Sequence, residues 1–171
     1  MFFLRPDFHL HGFSALAVAA AILAAESIRV WAVGYAGSAT RTRGDKVNEL
    51  VVAGPYRHVR NPLYVANILL YTLCAVLFGF LYLSIAIFIF SCLQYTFIVA
   101  FEEEILGRTF GAKYAKFCAE VPRWFISALP RCEGTGHHFE LKRALRSERS
   151  TFYSILAMAI LFFVKTRLGW N

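Results

Sequence analysis

Charge is what this sequence has least of. Only 17% of its 171 residues are Asp, Glu, Lys or Arg, against about 25% in an ordinary soluble domain. Residues 63–101, a run of 39, contain none at all. Intrinsic disorder is excluded, because too much apolar surface would have to stay in water. Cysteine is sparse as well. Four in the chain, with no Cys-x-x-Cys pair, exclude a disulfide-stapled secreted module. His137 and His138 adjoin, but nothing nearby has zinc-ligand spacing and no metal is expected. There is no internal repeat, and no low-complexity tract beyond an alanine-rich stretch near the start. What abounds is apolar: 58% hydrophobic and 16% aromatic residues, with mean hydropathy +0.52. In a chain of one domain's length, that composition describes a small integral membrane protein, an all-α helical bundle.

A helix rises about 1.5 Å per residue, so the uncharged run would reach roughly 58 Å. A bilayer core is about 30 Å thick and takes about 20 helical residues to cross. The run is too long for one crossing and suits two. Gly79-Phe80-Leu81-Tyr82 is the expected break, since glycine ends helices and aromatics suit a membrane interface. The expected hairpin is 63–79 and 82–101. Residues 12–36 form another apolar stretch, interrupted by Glu26 and Arg29, whose spacing sets them side by side on a helix as a pair. A signal peptide competes, because Arg5 precedes the alanine-rich core. The apolar pattern runs on to Val33 and Ala36, which favours a retained helix. Residues 151–164 are short for a span, and flanking Arg149, Lys165 and Arg167 extend them by snorkelling. The expectation is one domain of about four transmembrane helices (12–36, 63–79, 82–101 and 151–168) with a cytoplasmic amphipathic helix.

Fourteen of the 18 Lys and Arg residues lie in segments 37–62 and 102–150, and none in the hairpin turn. Those segments share a side if the hairpin crosses twice, and the positive-inside rule names that side cytoplasmic. Nucleic acid is not the expected partner, because the basic residues alternate with spans and form no continuous face.

Two motifs flank the hairpin. The first is Gly54-Pro55-Tyr56-Arg57-His58-Val59-Arg60-Asn61-Pro62-Leu63-Tyr64. Gly-Pro marks a turn. Asn61-Pro62 marks a helix start, with Asn as N-cap and Pro at the first helical position. The free N–H groups of that end suit an anion, and Arg57, His58 and Arg60 add to the positive field. The second motif is Glu102-Glu103-Glu104 followed by Leu106, Phe110, Gly111, Tyr114 and Phe117, then Val121-Pro122-Arg123. On one helix, Glu102, Leu106, Phe110, Tyr114, Phe117 and Val121 form a single stripe. Glu102 then lies on the buried face and needs a cationic partner. Glu103 flanks that face, and Glu104 is the more exposed. With the turn centred near Leu81, Arg60 and Glu102 each stand 21 residues away and return to the same depth. Arginines and a helix start beside a carboxylate pair match an amino-acid zwitterion. Tyr56, Tyr64 and Tyr114 offer aromatic faces to a further cation.

These motifs resemble those of the membrane methyltransferases that include isoprenylcysteine carboxyl methyltransferase and the phospholipid methyltransferases. The matching residues are Gly54, Pro55, Tyr56, Arg60, Pro62 and Tyr64, then Glu102, Glu103, Leu106, Phe110, Gly111, Tyr114, Val121 and Pro122, about 70 residues in order. Asn61 stands where that family often has His, and Phe117 where it has a second Tyr. The resemblance implies S-adenosylmethionine as methyl donor, bound from the cytosol by Tyr56, Arg60, Asn61, Tyr64, Glu102, Glu103 and Tyr114. It implies a lipid-like or prenylated acceptor entering from the bilayer. Arg123 is placed to position an acceptor anion. His58 is the one imidazole inside either motif, and so the candidate general base for an amine acceptor. A carboxylate acceptor needs no base. Both acceptors remain open, as do two other readings: a non-catalytic membrane binding or regulatory protein, and an NADPH-dependent membrane reductase. No obligate protein partner is expected.

Overall fold

The computed structural model describes residues 8, 10, 12–36, 49–134 and 136–168. Arg5, Arg41, Arg43 and Lys46, which entered the sequence argument, lie outside the described residues. All regular structure among the described residues is helical: α1 (Phe13–Ala36), a 3₁₀ turn (Gly54–Arg57), α2 (Pro62–Leu77), α3 (Leu81–Phe110), α4 (Ala112–Glu120), α5 (Leu141–Ser147) and α6 (Arg149–Leu168). The fold is a helical membrane bundle. Helices α1, α3 and α6 are long and apolar enough to cross a membrane. Helix α2, with 16 residues, spans about 24 Å, a little less than the hydrocarbon core.

The hairpin breaks at Gly79. Its φ is +84°, a left-handed conformation that only glycine adopts at little cost. Its N–H donates to Val76 O at 2.9 Å, and the Phe80 N–H donates to Ala75 O at 3.0 Å. That pair of bonds satisfies carbonyls left open at the end of α2, and α3 starts immediately afterwards. Helix α3 then runs 30 residues, carrying the acidic triplet beyond the uncharged run on the same rigid rod.

One expectation is corrected here. The stripe from Glu102 to Val121 does not lie on one helix. The chain turns at Gly111, φ +50°, ending α3 and starting α4. The kink folds Tyr114 and Phe117 back onto Leu50, Val52 and Val121, a small core with Leu106 and Phe110 at its edge. Helix α4 is the amphipathic helix of the fold.

Helix α1 packs on α2 through Ile22, Ala25, Leu70 and Leu77, with Ile155 and Phe162 of α6 against them. Two polar contacts hold α6 in register. Glu148, just before it, pairs with Arg29 at 2.7 Å. Lys165, near its end, donates to Phe78 O at 2.7 Å and so caps α2. Arg29 does reach Glu26, at 3.4 Å. Its closer partner is Glu148, 119 residues away.

Candidate active site

The two motifs meet. Motif one leaves the 3₁₀ turn, crosses residues 58–61 and enters α2. The segment after α4 runs beside it. The Arg60 N–H donates to Pro122 O at 2.9 Å, the Ser127 N–H to His58 O at 3.0 Å, and the Arg131 N–H to Arg57 O at 2.8 Å. The Arg57 Nε–H adds a bond to Cys132 O at 2.8 Å. The second motif is therefore tied to the first by main chain as well as by side chains.

The side chains converge on α3. The Tyr64 hydroxyl donates to Glu102 Oε1 at 2.5 Å. Arg60 Nη1 lies 3.0 Å from Glu103 Oε1, and both side chains are only 13% exposed. Arg123 holds the other side of the same carboxylate, with Nε 3.2 Å from Oε1 and Nη2 against Oε2. Glu103 thus joins two guanidinium groups. Glu104 turns outward and pairs with Arg108 along its own helix. Arg60 Nη1 also donates to Cys118 Sγ at 2.7 Å. Its Nε is buried and has no hydrogen-bond partner among the described residues.

Asn61 sits at the N-cap of α2, but its side chain does not cap the helix. Its amide donates instead to Arg123 O at 3.2 Å. The expected cap is corrected: Pro62 at N1 sets the helix start, while Asn61 fixes the arginine-bearing loop. The first N–H groups of α2 keep their partial positive charge.

The tyrosines divide. Burial and the Glu102 carboxylate push the Tyr56 phenol up from its ordinary value, so its hydroxyl stays a donor across the neutral range. Tyr114 is buried in the α4 core, and burial, a hydrogen bond to Cys118 and the Glu103 charge push it up too. Tyr114 thus reaches Arg60 through Cys118. Tyr64 stacks on Tyr95, ring centroids 4.8 Å apart, and Tyr95 accepts from Asn67 at 3.0 Å. Asn67 in turn accepts from Arg29, so this chain of contacts runs from Glu102 to Glu148.

His58 lies at the edge. Its Nδ1 is 2.8 Å from Ser127 O. A carbonyl only accepts, so Nδ1 carries the proton and Nε2 is left as the basic nitrogen. The ring tilts against Trp31 of α1, centroids 5.9 Å apart. Trp31 in turn lines a cavity of about 400 Å³ with Glu26, Phe139, Phe152 and Ile155. A larger, mainly apolar cavity of about 690 Å³ lies between α2, α3 and α6, walled by Leu70, Cys74, Ile87, Phe90, Ile155 and Met158.

Sequence spacing does not predict the Arg60–Cys118 contact, the Trp31–His58 contact or the Arg29–Glu148 pair. Counting from Leu81 does not pair Tyr64 with Tyr95; the two meet because the chain breaks at Gly79, from which they stand about equally far. Nothing in the sequence links residue 29 to 148.

The family model for phospholipid methyltransferase matches residues 10–113. The chain belongs to the phospholipid methyltransferase family. Comparison with curated proteins and with solved structures returns no match. The matched region holds all of motif one and the Glu102–Glu103 pair, and it ends just before Tyr114. This phospholipid methyltransferase family member is a membrane protein of a methyl-transferring class, with both hairpin motifs at one end of its bundle. No cluster of three or more metal-ligating side chains occurs among the described residues.

Proposed function

We propose that the protein transfers a methyl group from S-adenosylmethionine to a lipid-like or prenylated acceptor at the cytoplasmic face of a membrane. The observation that carries this reading is the junction of Arg60, Tyr64, Glu102 and Glu103 at the start of α2. A zwitterion fits that junction. The buried, unbonded Nε of Arg60 and the α2 N-terminus suit a carboxylate. Glu102, oriented by Tyr64, suits an ammonium group, and the Tyr56 hydroxyl adds a donor. Glu103 spans Arg60 and Arg123 and keeps both guanidinium planes in place, while Asn61 fixes the loop that bears Arg123. Tyr114 steadies Arg60 through Cys118.

When bound, S-adenosylmethionine supplies an electrophilic methyl group on a positively charged sulfur, so the protein's contribution is mainly positioning and exclusion of water. Arg123 orients an acceptor anion such as a phosphate. An amine acceptor must lose a proton before it attacks, and His58 takes it at Nε2. A carboxylate acceptor attacks without that help. The cavity between α2, α3 and α6 has the apolar walls an acyl or prenyl chain needs. Multi-pass insertion with the site facing the cytoplasm rests on the 14 of 18 basic residues in the two segments flanking the hairpin.

The experiment is incubation of the purified protein with methyl-labelled donor and total membrane lipids. Labelled lipid is the expected result. Base-labile label identifies an ester, and stable label an amine or ether. No labelled lipid from any extract would contradict the proposal.

A further inference from the structure

We propose that residues 124–129 are an interfacial anchor that dips into the headgroup region of a bilayer containing anionic lipid. The segment reads Trp-Phe-Ile-Ser-Ala-Leu. Phe125 is 84% exposed, Leu129 74% and Ile126 51%. Large apolar side chains grouped on one loop in this way mark an interaction surface rather than ordinary scatter.

Three observations name the partner. The first is depth. The loop is fixed to the start of α2, since Ser127 bonds to His58 through both its N–H and its carbonyl, and the Arg131 N–H bonds to Arg57. Helix α2, at about 24 Å, is shorter than the hydrocarbon core of about 30 Å. The charged Arg57 and Arg60 stand just before its first residue, which sets that end near the boundary, and the attached loop shares that level. The second is composition. Trp124 and Phe125 are residue types that favour the membrane interface. The third is charge. Arg123 precedes the loop and Arg131 follows it, and Arg131 is exposed. An apolar tip between arginines matches acyl chain below and anionic headgroup above.

The anchor does not depend on the reaction proposed above. It places Arg123 and the His58 loop against the lipid surface whatever chemistry follows.

The test uses the full chain in vesicles of phosphatidylcholine and phosphatidylglycerol. Phe125→Cys carries an environment-sensitive fluorophore, with the wild-type chain labelled in parallel to correct for its four half-buried cysteines. Leu129→Cys repeats the measurement at a second exposed position. Lipids brominated near the headgroup should quench most of the emission, and aqueous iodide little of it. Replacing the anionic lipid by phosphatidylcholine should reduce the bromolipid quenching, and Arg131→Gln should weaken that dependence, since Arg123 remains. Strong iodide quenching without bromolipid quenching at both positions would overturn the proposal. Protection that rises with protein-to-lipid ratio would assign the loop to a second copy and would overturn it as well.

Discussion

Tyr64 and Glu102, 38 residues apart, meet through a hydrogen bond of 2.5 Å that joins the start of α2 to the far half of α3. A bond to a carboxylate in a half-buried setting contributes about 1.5–3 kcal/mol. Tyr64→Phe should weaken binding of S-adenosylmethionine about tenfold or more, and Glu102→Gln should weaken it further. Calorimetric binding to the two single variants and the double variant checks this. The double variant should lose less than the sum of the singles, because the two residues act as one unit.

Adjacent glutamates give an internal control. Glu103 pairs with Arg60 and both side chains are 13% exposed, whereas Glu104 and Arg108 are 57% and 79% exposed. Removing one partner of a fully buried pair costs about 3–5 kcal/mol, and an exposed pair contributes about 0–1 kcal/mol. Glu103→Gln should therefore destabilise the protein by about 2 kcal/mol, between these limits, and loosen Arg123. Glu104→Gln should change stability by under about 0.5 kcal/mol. Unfolding in detergent at fixed protein concentration measures both.

Glycines 111 and 34 should fail for different reasons. Gly111 has φ +50° and ψ −123°, with open space around its Cβ position, so Gly111→Ala carries backbone strain alone, about 1–3 kcal/mol. A Cβ on Gly34 would meet the Phe139 ring. Gly34→Ala should destabilise more, and Phe139→Ala should relieve that clash while leaving Gly111→Ala unaffected. Melting temperatures of the four variants test the contrast.

Stability should fall at high pH. Tyr56 and Tyr114 are held above their ordinary value of 10.0 in the folded protein. Above about pH 10 the unfolded chain releases these protons and the folded chain keeps them, so folding loses ground as pH rises. Below that pH both states carry the protons and the two groups contribute no slope. Tyr56→Phe and Tyr114→Phe should each flatten the decline. Unfolding free energies between pH 8 and pH 11 provide the check.

The hairpin and its two motifs were legible because each rests on local signals. An uncharged run has a length, Gly79 has a place in it, and counting from the turn pairs Arg60 with the acidic triplet. The kink at Gly111 was not legible. The i,i+4 spacing continues across it unbroken, and only packing of Tyr114 and Phe117 on Leu50 and Val52 favours the bend. Asn61 departs from its sequence signal for a related reason. Asn before Pro is a strong capping signal, but the Arg123 carbonyl lay within reach and took the amide. The spacing of Arg29 points to its neighbour Glu26, whereas its closer partner, Glu148, follows a helix, α5, that has no strong periodic signature.

Donor affinity is the most direct test of the site. Binding of S-adenosylmethionine is measured by calorimetry on the detergent-purified chain, with NADPH as control ligand. The wild type should bind the donor and not NADPH, and Glu102→Gln and Arg60→Ala should each lower affinity at least about tenfold, or about 1.4 kcal/mol. Unchanged donor affinity in both folded variants would contradict this assignment of the site.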